Sequence, residues 1–309
     1  MLTITLPYRR LVDALGADPG RVRVVEWGLT GPLAADIAAE VDVVVVPYYV
    51  TGSSMLLRVH DLPRLSVVQL PSAGYEHAVK HMPPGVTVCN ARGVHDAGTA
   101  ELAIGLVLAS QRGIDVAVRD QLEGRWAGKT LDSLADRRVM VLGYGSIGKA
   151  IARRLEPLEV GVVAVARTAR VEDGVVVHGM DELAELLPTV DVVIVITPLT
   201  EETRGLVDAE FLARMRDGAL LVNLARGKIV DTGALLAEVS TGRLRAALDV
   251  TDPEPLPPDH PLWRAPGVII TPHVGGNTRA TDPRLLRLLR EQIARFQAGD
   301  PLLNVIART

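Results

Sequence analysis

The hydrophobic positions of this chain fall into short runs separated by stretches of helical spacing. Leu2–Leu6, Val22–Trp27, Val41–Val46, Ser66–Leu70 and Val86–Cys89 have the length and apolar character of strands. Between them, Tyr8–Leu15, Pro32–Glu40, Ser54–Val59 and Tyr75–Lys80 carry helical patterns. Val41–Val46 has almost no polar residue on either face, as a strand covered on both sides of a parallel sheet requires. Next comes Asp96–Ser110, a helix apolar over most of its circumference, which predicts burial between domains or at a subunit interface. The more polar helix Asp115–Glu123 and the turn Gly124–Gly128 then form a connector, with Trp126 a candidate partner-facing anchor.

The same alternation resumes beyond the connector. Val139–Leu142, Val160–Ala166, Val190–Ile196, Ala219–Asn223, Leu244–Asp249 and Val268–Thr271 read as strands, with helices Lys149–Leu155, Asp181–Leu187, Asp208–Met215 and Thr232–Ser240 between them. A last amphipathic helix, Thr281–Gln297, places Leu285, Leu286, Leu289, Ile293 and Phe296 on one face. Strands alternating with helices predict an α/β protein built on doubly wound parallel sheets.

One stretch of this pattern carries a specific signal. From Arg137 to Arg170 the chain reads strand, Gly143-Tyr144-Gly145-Ser146-Ile147-Gly148, helix, strand, which is the context a dinucleotide-binding Gly-x-Gly-x-x-Gly demands. Gly143 permits the tight turn, Gly145 allows a pyrophosphate close to the backbone, and Gly148 lets the helix pack on the strand. The helix N-terminus then offers N–H groups and a positive dipole end to the phosphates.

Composition narrows the setting. The chain has 309 residues, room for two ordinary domains or one large one. A net charge of −4 gives no general attraction to nucleic acid or to anionic membranes, so neither is an expected partner. Cys89 is the single cysteine, which excludes an intrachain disulfide and a thiolate-rich metal site. His60, His77, His81 and His95 lack metal-ligand spacing, and no metal is expected. The sequence has neither a signal-peptide pattern nor an apolar run of about 18 residues, so a cytoplasmic protein is expected.

Candidate chemistry gathers at three strand ends of the second half: Asn223–Gly227, Asp249–Pro255 and Thr271–Gly276. In open α/β sheets ligands sit beyond the carboxyl ends of the strands. Arg226 can bind a carboxylate bidentately and polarise the neighbouring carbonyl. His273 can protonate a developing alkoxide, and Glu254 as its partner would favour the imidazolium and orient the ring. In the first half the loop Pro71–Tyr75 follows a strand, and its small residues let backbone N–H groups face an anion.

With these segments in place, the chain resembles the D-isomer-specific 2-hydroxyacid dehydrogenase family. The likeness rests on Gly143–Gly148, Thr197–Thr200 with Glu202–Gly205, Asn223–Gly227, Ala247–Val250 with Pro253–Pro257, and Ile270–Gly276, in family order; the first hundred residues contribute mainly Ser72-Ala73-Gly74. The resemblance implies a Rossmann cofactor domain, residues 97–280, inserted into a flavodoxin-like substrate domain of residues 1–96 plus 281–309. It implies Arg226, Glu254 and His273 as catalytic residues, and Ala73 and Gly74, with Arg226, as the substrate-carboxylate site. Asp249 matches the acid that holds the nicotinamide carboxamide, with Thr99 near the same ring. The matched segments also bring Ser146, Ile147, Thr197, Pro198, Leu224, Ala225, His273 and Gly275 to the cofactor. Family members are usually homodimers through the cofactor domain.

The cofactor choice turns on the second strand's end. NAD-binding members carry an acid there for the ribose 2′-hydroxyl. This chain has Ala166-Arg167-Thr168-Ala169-Arg170, whose Arg167, Thr168 and Arg170 can bind a 2′-phosphate, so NADP(H) is expected over NAD(H). The expected reaction is D-specific reduction of a small 2-oxo acid, glyoxylate or hydroxypyruvate by resemblance to NADPH-using reductases. Side-chain selectivity is expected from the loops around Tyr48-Tyr49 and Ser72–Tyr75, with Trp126 and Trp263 as further candidates. Formate dehydrogenase is disfavoured because that relative pairs its histidine with glutamine. A phosphite dehydrogenase keeps all three residues, and a dinucleotide-sensing co-regulator would bind without turnover; both remain alternatives.

Overall fold

A computed structural model describes residues 1–48, 53–76 and 78–309; Tyr49 and His77 lie outside the described residues. The chain divides into two compact units, Met1–His95 with Arg279–Thr309, and Asp96–Thr278.

In the first unit β1 (Leu2–Leu6), β2 (Val22–Glu26), β3 (Val43–Val45), β4 (Val67–Gln69) and β5 (Thr87–Cys89) form a parallel sheet in the order β2-β1-β3-β4-β5. This is the flavodoxin-like 2-1-3-4-5 order. The strand Val305–Arg308 adds to β5 antiparallel. The all-valine pattern of β3 has its cause in two-sided cover. Val43 and Val45 face Leu11, Leu15, Leu285 and Leu289, whereas Val44 and Val46 face Leu56, Val59 and Met82. Each such fully buried side chain contributes roughly 1.5–3 kcal/mol.

The helical expectations of this unit hold less evenly. Arg9–Leu15 (α1) and the final helix Thr281–Ala298 form as the pattern predicts. Pro32–Glu40 contracts to Ala35–Ala38 (α2), whose N-cap Ala34 offers no side-chain acceptor to the first N–H groups. Ser54–Val59 becomes Ser53–Leu57 (α3) followed by a tighter 3₁₀ turn, Arg58–Asp61. Of Tyr75–Lys80, the described residues keep only a 3₁₀ turn at Val79–His81.

The second unit holds β6 (Arg138–Leu142), β7 (Gly161–Val165), β8 (Arg170–Glu172), β9 (Val175–His178), β10 (Val192–Val195), β11 (Leu220–Asn223), β12 (Arg245–Leu248) and β13 (Val268–Ile270). The order β13-β12-β11-β10-β6-β7-β9 is parallel throughout, with β8 antiparallel at the edge. Counted along the unit, the parallel strands follow the Rossmann order 3-2-1-4-5-6 with one strand added. The β8–β9 hairpin is absent from the sequence-based expectations. Its turn is Asp173-Gly174, with φ of 51° and 81°, the left-handed pair that a two-residue hairpin loop requires.

Alternate residues of the central strands enter opposite faces. Met140, Leu142, Val193 and Val195 pack on Phe211 and Leu212 of α8 (Ala209–Arg214) and Leu235 and Val239 of α9 (Thr232–Ser240), with α7 (Leu183–Leu186) at the margin. Val139, Val141, Val192 and Ile194 pack on α4 (Asp96–Gln111) and α6 (Ser146–Leu155). The long apolar helix, expected to be buried between domains or at a subunit interface, finds its cover in its own unit. Ala100, Ala103, Leu106 and Val107 of α4 lie with Ile151 and Leu155 of α6, and the two alanines permit the close approach. By contrast α5 (Ile114–Leu122) buries none of its residues. Among the described residues no helix is long and apolar enough to cross a membrane.

Candidate functional site

The strand order of the second unit reverses between β6 and β10, and the glycine turn sits at that reversal. Gly143 follows β6 with φ of 116°, and a Cβ there would come within 2.6 Å of the Ile196–Thr197 backbone. A Cβ on Gly148 would lie 2.0 Å from the Gly143 carbonyl oxygen. Both positions therefore require glycine. Gly145 is different: nothing lies within 4 Å of its Cβ position, and as N-cap of α6 it places no side-chain acceptor on the helix's first N–H groups. Open space before uncapped N–H groups fits a pyrophosphate. Ser146 turns its hydroxyl to Asp96 Oδ1 at 3.1 Å, and Ile147 packs into the core. Across the turn, Thr203 steadies the Thr197-Pro198-Leu199-Thr200 loop, donating to the Pro198 carbonyl at 2.6 Å and accepting from the Thr200 N–H at 2.8 Å.

At the end of β7, Arg167, Thr168 and Arg170 are all exposed. The sequence places no carboxylate in this stretch, but the fold brings two to it. Arg170 pairs with Glu172 at 2.9 Å and donates to the Tyr144 carbonyl at 3.1 Å, so it braces the glycine turn. Lys149 reaches the other oxygen of Glu172 at 2.5 Å. Bonds from Lys149 and Arg170 hold the Glu172 carboxyl below the usual range. Glu202 is likewise held low, by the Thr200 side chain, by its own N–H and by the charge of Arg167. The hairpin turn Asp173-Gly174 was the available signal for Glu172; Glu202 lies in a segment that carried the family resemblance, but its place near Arg167 had no local signal.

Arg226, Glu254 and His273 come together within the second unit. Asn223, at the end of β11, folds the chain into a turn: its Oδ1 accepts from the Ala225 N–H and its Nδ2 donates to the Arg226 carbonyl, each at 3.0 Å. Leu224 and Ala225 are buried by this turn, and the Arg226 guanidinium bends back to the Ala225 carbonyl at 2.7 Å. A Cβ on Gly227 would stand 1.9 Å from the Thr251 carbonyl oxygen, so the arginine loop lies flat on the segment leading to Glu254. Glu254 Oε1 meets His273 Nδ1 at 2.5 Å, which leaves the ring's Nε2 for chemistry. The bond from Glu254 raises the His273 pKa, with the charges of Glu254 and Asp249 adding to it; burial and Arg226 oppose. Burial pushes the Glu254 carboxyl up, but the bond and charge of His273, the Thr251 backbone and Arg226 outweigh it and hold it low. Arg226 thus acts on both members of the pair.

His273 itself has φ of 53°, a left-handed conformation that costs a non-glycine residue about 1–3 kcal/mol. Its N–H donates to the Asp249 carbonyl at 2.8 Å and the Thr271 carbonyl at 3.0 Å. The buried Asp249 carboxylate ties the rest of that loop: Oδ1 accepts from Thr271 Oγ1 at 2.6 Å and Val274 N–H at 2.9 Å, and Oδ2 from Gly275 N–H at 2.9 Å. A Cβ on Gly275 would lie 3.0 Å from Oδ2 and 3.5 Å from Thr99, which brings Thr99 of α4 beside the same carboxylate. This anchoring role was not legible in the sequence, because two of its three partners are backbone groups and all lie more than 20 residues away.

Ala73 and Gly74 belong to the first unit, in the loop after β4. Ser72 Oγ donates to the Gly74 carbonyl at 2.9 Å, and the Ala73 carbonyl accepts from Asn90 Nδ2 at 2.8 Å.

The comparisons with known proteins agree with this fold. The family model described as D-isomer specific 2-hydroxyacid dehydrogenase, NAD binding domain, matches residues 104–275. A glyoxylate reductase of Thermofilum pendens is 33% identical over 252 residues, 77% of this chain and 74% of that protein. A D-3-phosphoglycerate dehydrogenase of Archaeoglobus fulgidus is 36% identical over 229 residues, 72% of this chain but only 43% of that longer protein. Among solved structures, a D-isomer specific 2-hydroxyacid dehydrogenase from Xanthobacter autotrophicus, in complex with NADPH and MES, superposes with a TM-score of 0.83 at 31% identity, covering 99% of this chain and 98% of that one. With its Rossmann glycine turn and its Arg, Glu and His at strand ends, the chain belongs to the D-isomer specific 2-hydroxyacid dehydrogenases, a family of NAD(P)-dependent oxidoreductases.

Proposed function

We propose that the protein reduces a small 2-oxo acid of the glyoxylate or hydroxypyruvate type to the D-2-hydroxy acid, with NADP(H) preferred. The observation that carries this reading is the 2.5 Å Glu254–His273 pair with Arg226 acting on both. A nicotinamide dinucleotide, held by Gly143–Gly148, Thr197, Pro198, Leu224, Ala225, Thr99, Asp249 and Gly275, supplies the hydride when bound.

The chain's own residues do the rest. Arg226 takes the substrate carboxylate and polarises the carbonyl. In the first unit, the backbone N–H groups of Ala73 and Gly74 offer donors to a carboxylate. His273, held as imidazolium by Glu254, gives the Nε2 proton to the carbonyl oxygen as it becomes a hydroxyl. Asp249 keeps the histidine loop in its left-handed conformation. Glu254 favours an oxo acid over formate as substrate, since it keeps the histidine charged. Oxidation of NADPH, and of NADH in parallel, with glyoxylate, hydroxypyruvate and pyruvate tests the reading; binding of NADPH with no turnover on any of them would favour a sensor, and turnover of phosphite alone would favour the phosphite enzyme.

The NADP(H) preference rests on Arg167 as the principal 2′-phosphate ligand, flanked by Thr168 and Arg170. The Xanthobacter relative, solved with NADPH, supports it. A charge-assisted bond of about 1.5–3 kcal/mol corresponds to roughly ten- to hundredfold in affinity. Arg167→Asp is expected to lower kcat/KM with NADPH by that factor while leaving or raising the value with NADH. Equal efficiency of the wild-type enzyme with NADH would overturn the preference.

We further propose a homodimer through the cofactor domain. Ile114, Val118 and Leu122 share one exposed face of α5, and Trp126 beyond it is fully exposed, apolar surface of the kind that marks an interface. Sedimentation equilibrium is expected to give twice the chain mass of 33.1 kDa, and a single-chain mass would refute it.

A further inference from the structure

Four successive carbonyls of the loop after β4 are held. His95 Nε2 lies 2.9 Å from the Pro71 carbonyl oxygen, Ala91 N–H donates to Ser72 at 2.9 Å, Asn90 Nδ2 to Ala73 at 2.8 Å, and Ser72 Oγ to Gly74 at 2.9 Å. In a trans peptide unit the C=O and the following N–H share a plane and point in opposite directions. With the Ser72 and Ala73 carbonyls drawn to Ala91 and Asn90, the N–H groups of Ala73 and Gly74 must point away from them, side by side. Among the described residues neither N–H has an acceptor. Successive N–H groups on one side make an anion-binding concavity.

We propose that Asn90 is a positioning residue: it turns the Gly74 N–H outward, so that Ala73 and Gly74 receive the substrate's carboxylate. The inference rests on the reading that the protein reduces a 2-oxo acid. Asn90 is built for this task. It is buried, and its Oδ1 accepts from the Arg92 N–H at 3.2 Å, which commits Nδ2 to the Ala73 carbonyl. Its own carbonyl accepts from Gln69 Nε2 at 2.9 Å, and Gln69 Oε1 in turn accepts from Gln292 Nε2 at 3.1 Å. A chain of buried amides thus runs from the final helix to the loop. Without the Asn90 amide the Ala73–Gly74 plane can rotate, and the Ala73 carbonyl oxygen would then face the carboxylate and repel it.

The test compares glyoxylate with methyl glyoxylate, which has the same reacting carbonyl but no negative charge. In Asn90→Ala, kcat/KM for glyoxylate is expected to fall about tenfold relative to that for the ester, the size of one lost hydrogen bond to a charged group. Asn90→Asp keeps the shape but cannot donate, and is expected to fall at least as far; it covers the case in which the alanine variant does not fold. Apart from turnover, the amide resonances of Ala73 and Gly74 are expected to shift on adding oxamate to the wild-type protein and to stay put in Asn90→Asp. A ratio unchanged from wild type, with both substrates losing equally, overturns the positioning role and leaves the oxo-acid reading intact. Absence of glyoxylate, hydroxypyruvate and pyruvate turnover in the wild-type enzyme overturns both.

Discussion

Replacing His273 with alanine is expected to lower kcat for 2-oxo acid reduction by about 10²–10⁴-fold, the span that a positioned general acid contributes, while the Kd for NADPH changes little. The reason is local. Nδ1 is engaged by Glu254 at 2.5 Å, so the proton that reaches the substrate comes from Nε2. Near-wild-type kcat in the variant would remove His273 from the mechanism. The same pair sets the pH dependence. Glu254 raises the His273 pKa above its ordinary value of 6.5, so reduction is favoured below the raised pKa and declines as pH rises through it. The reverse reaction needs the neutral ring and shows the opposite limb. In Glu254→Gln the ring keeps an acceptor but loses the charge, and the declining limb of reduction moves to lower pH. Stability follows the same sign. The His273 contribution is full below the unfolded value, and is lost as pH rises through the folded one. Both side chains are about half exposed, so this contribution is small.

The second large effect involves no reacting group. Gly227→Ala would place a methyl 1.9 Å from the Thr251 carbonyl oxygen and 2.6 Å from the Asp252 nitrogen, both backbone atoms. A side chain could rotate out of the way; two segments of backbone cannot. The arginine loop must lift from the loop that leads to Glu254, and displacement of about 1 Å at a catalytic group costs about 10²-fold. We expect that loss in kcat/KM for the oxo acid together with a destabilisation of about 1–3 kcal/mol from overpacking. Denaturant unfolding alongside kinetics on folded enzyme separates the two effects. A variant with full activity would mean that Arg226 does not depend on this contact.

The parallel strands and the glycine turn were readable because their signals are local. A fully apolar run such as Val41–Val46 and glycines at fixed spacing are properties of a few adjacent residues. Most strand ends came out one or two residues shorter in the fold, as at Val43–Val45, where terminal residues leave the ladder, while Leu2–Leu6 kept its bounds and the strand before the glycine turn gained Arg138. The hairpin of Arg170–Glu172 and Val175–His178 escaped because its outer strand has three residues, two of them charged, although Asp173-Gly174 signalled the turn. The buried polar residues were least legible. Asn90, Asn223 and Asp249 bond to backbone groups, and a backbone N–H or carbonyl leaves no mark on a sequence. Gly227 illustrates the same limit: the sequence shows a glycine after an arginine, but the atoms that forbid any other residue come from Thr251 and Asp252.

The first unit is made from two segments, Met1–His95 and Arg279–Thr309, that flank the second unit in the chain, and this imposes an order of assembly during synthesis. The strand Val305–Arg308, which pairs with β5, and the helix residues Leu285, Leu286 and Leu289, which cover β1 and β3, emerge after the whole second unit. Until they arrive, β5 presents an unpaired edge and one face of the sheet has lost part of its cover, the two features by which sheets stick to one another. The second unit already owns all of its strands when Thr278 is added. The nascent chain therefore carries a complete nucleotide-binding module while its other unit is still open, and the risk of misassembly is concentrated in the interval before Arg279–Thr309 is added.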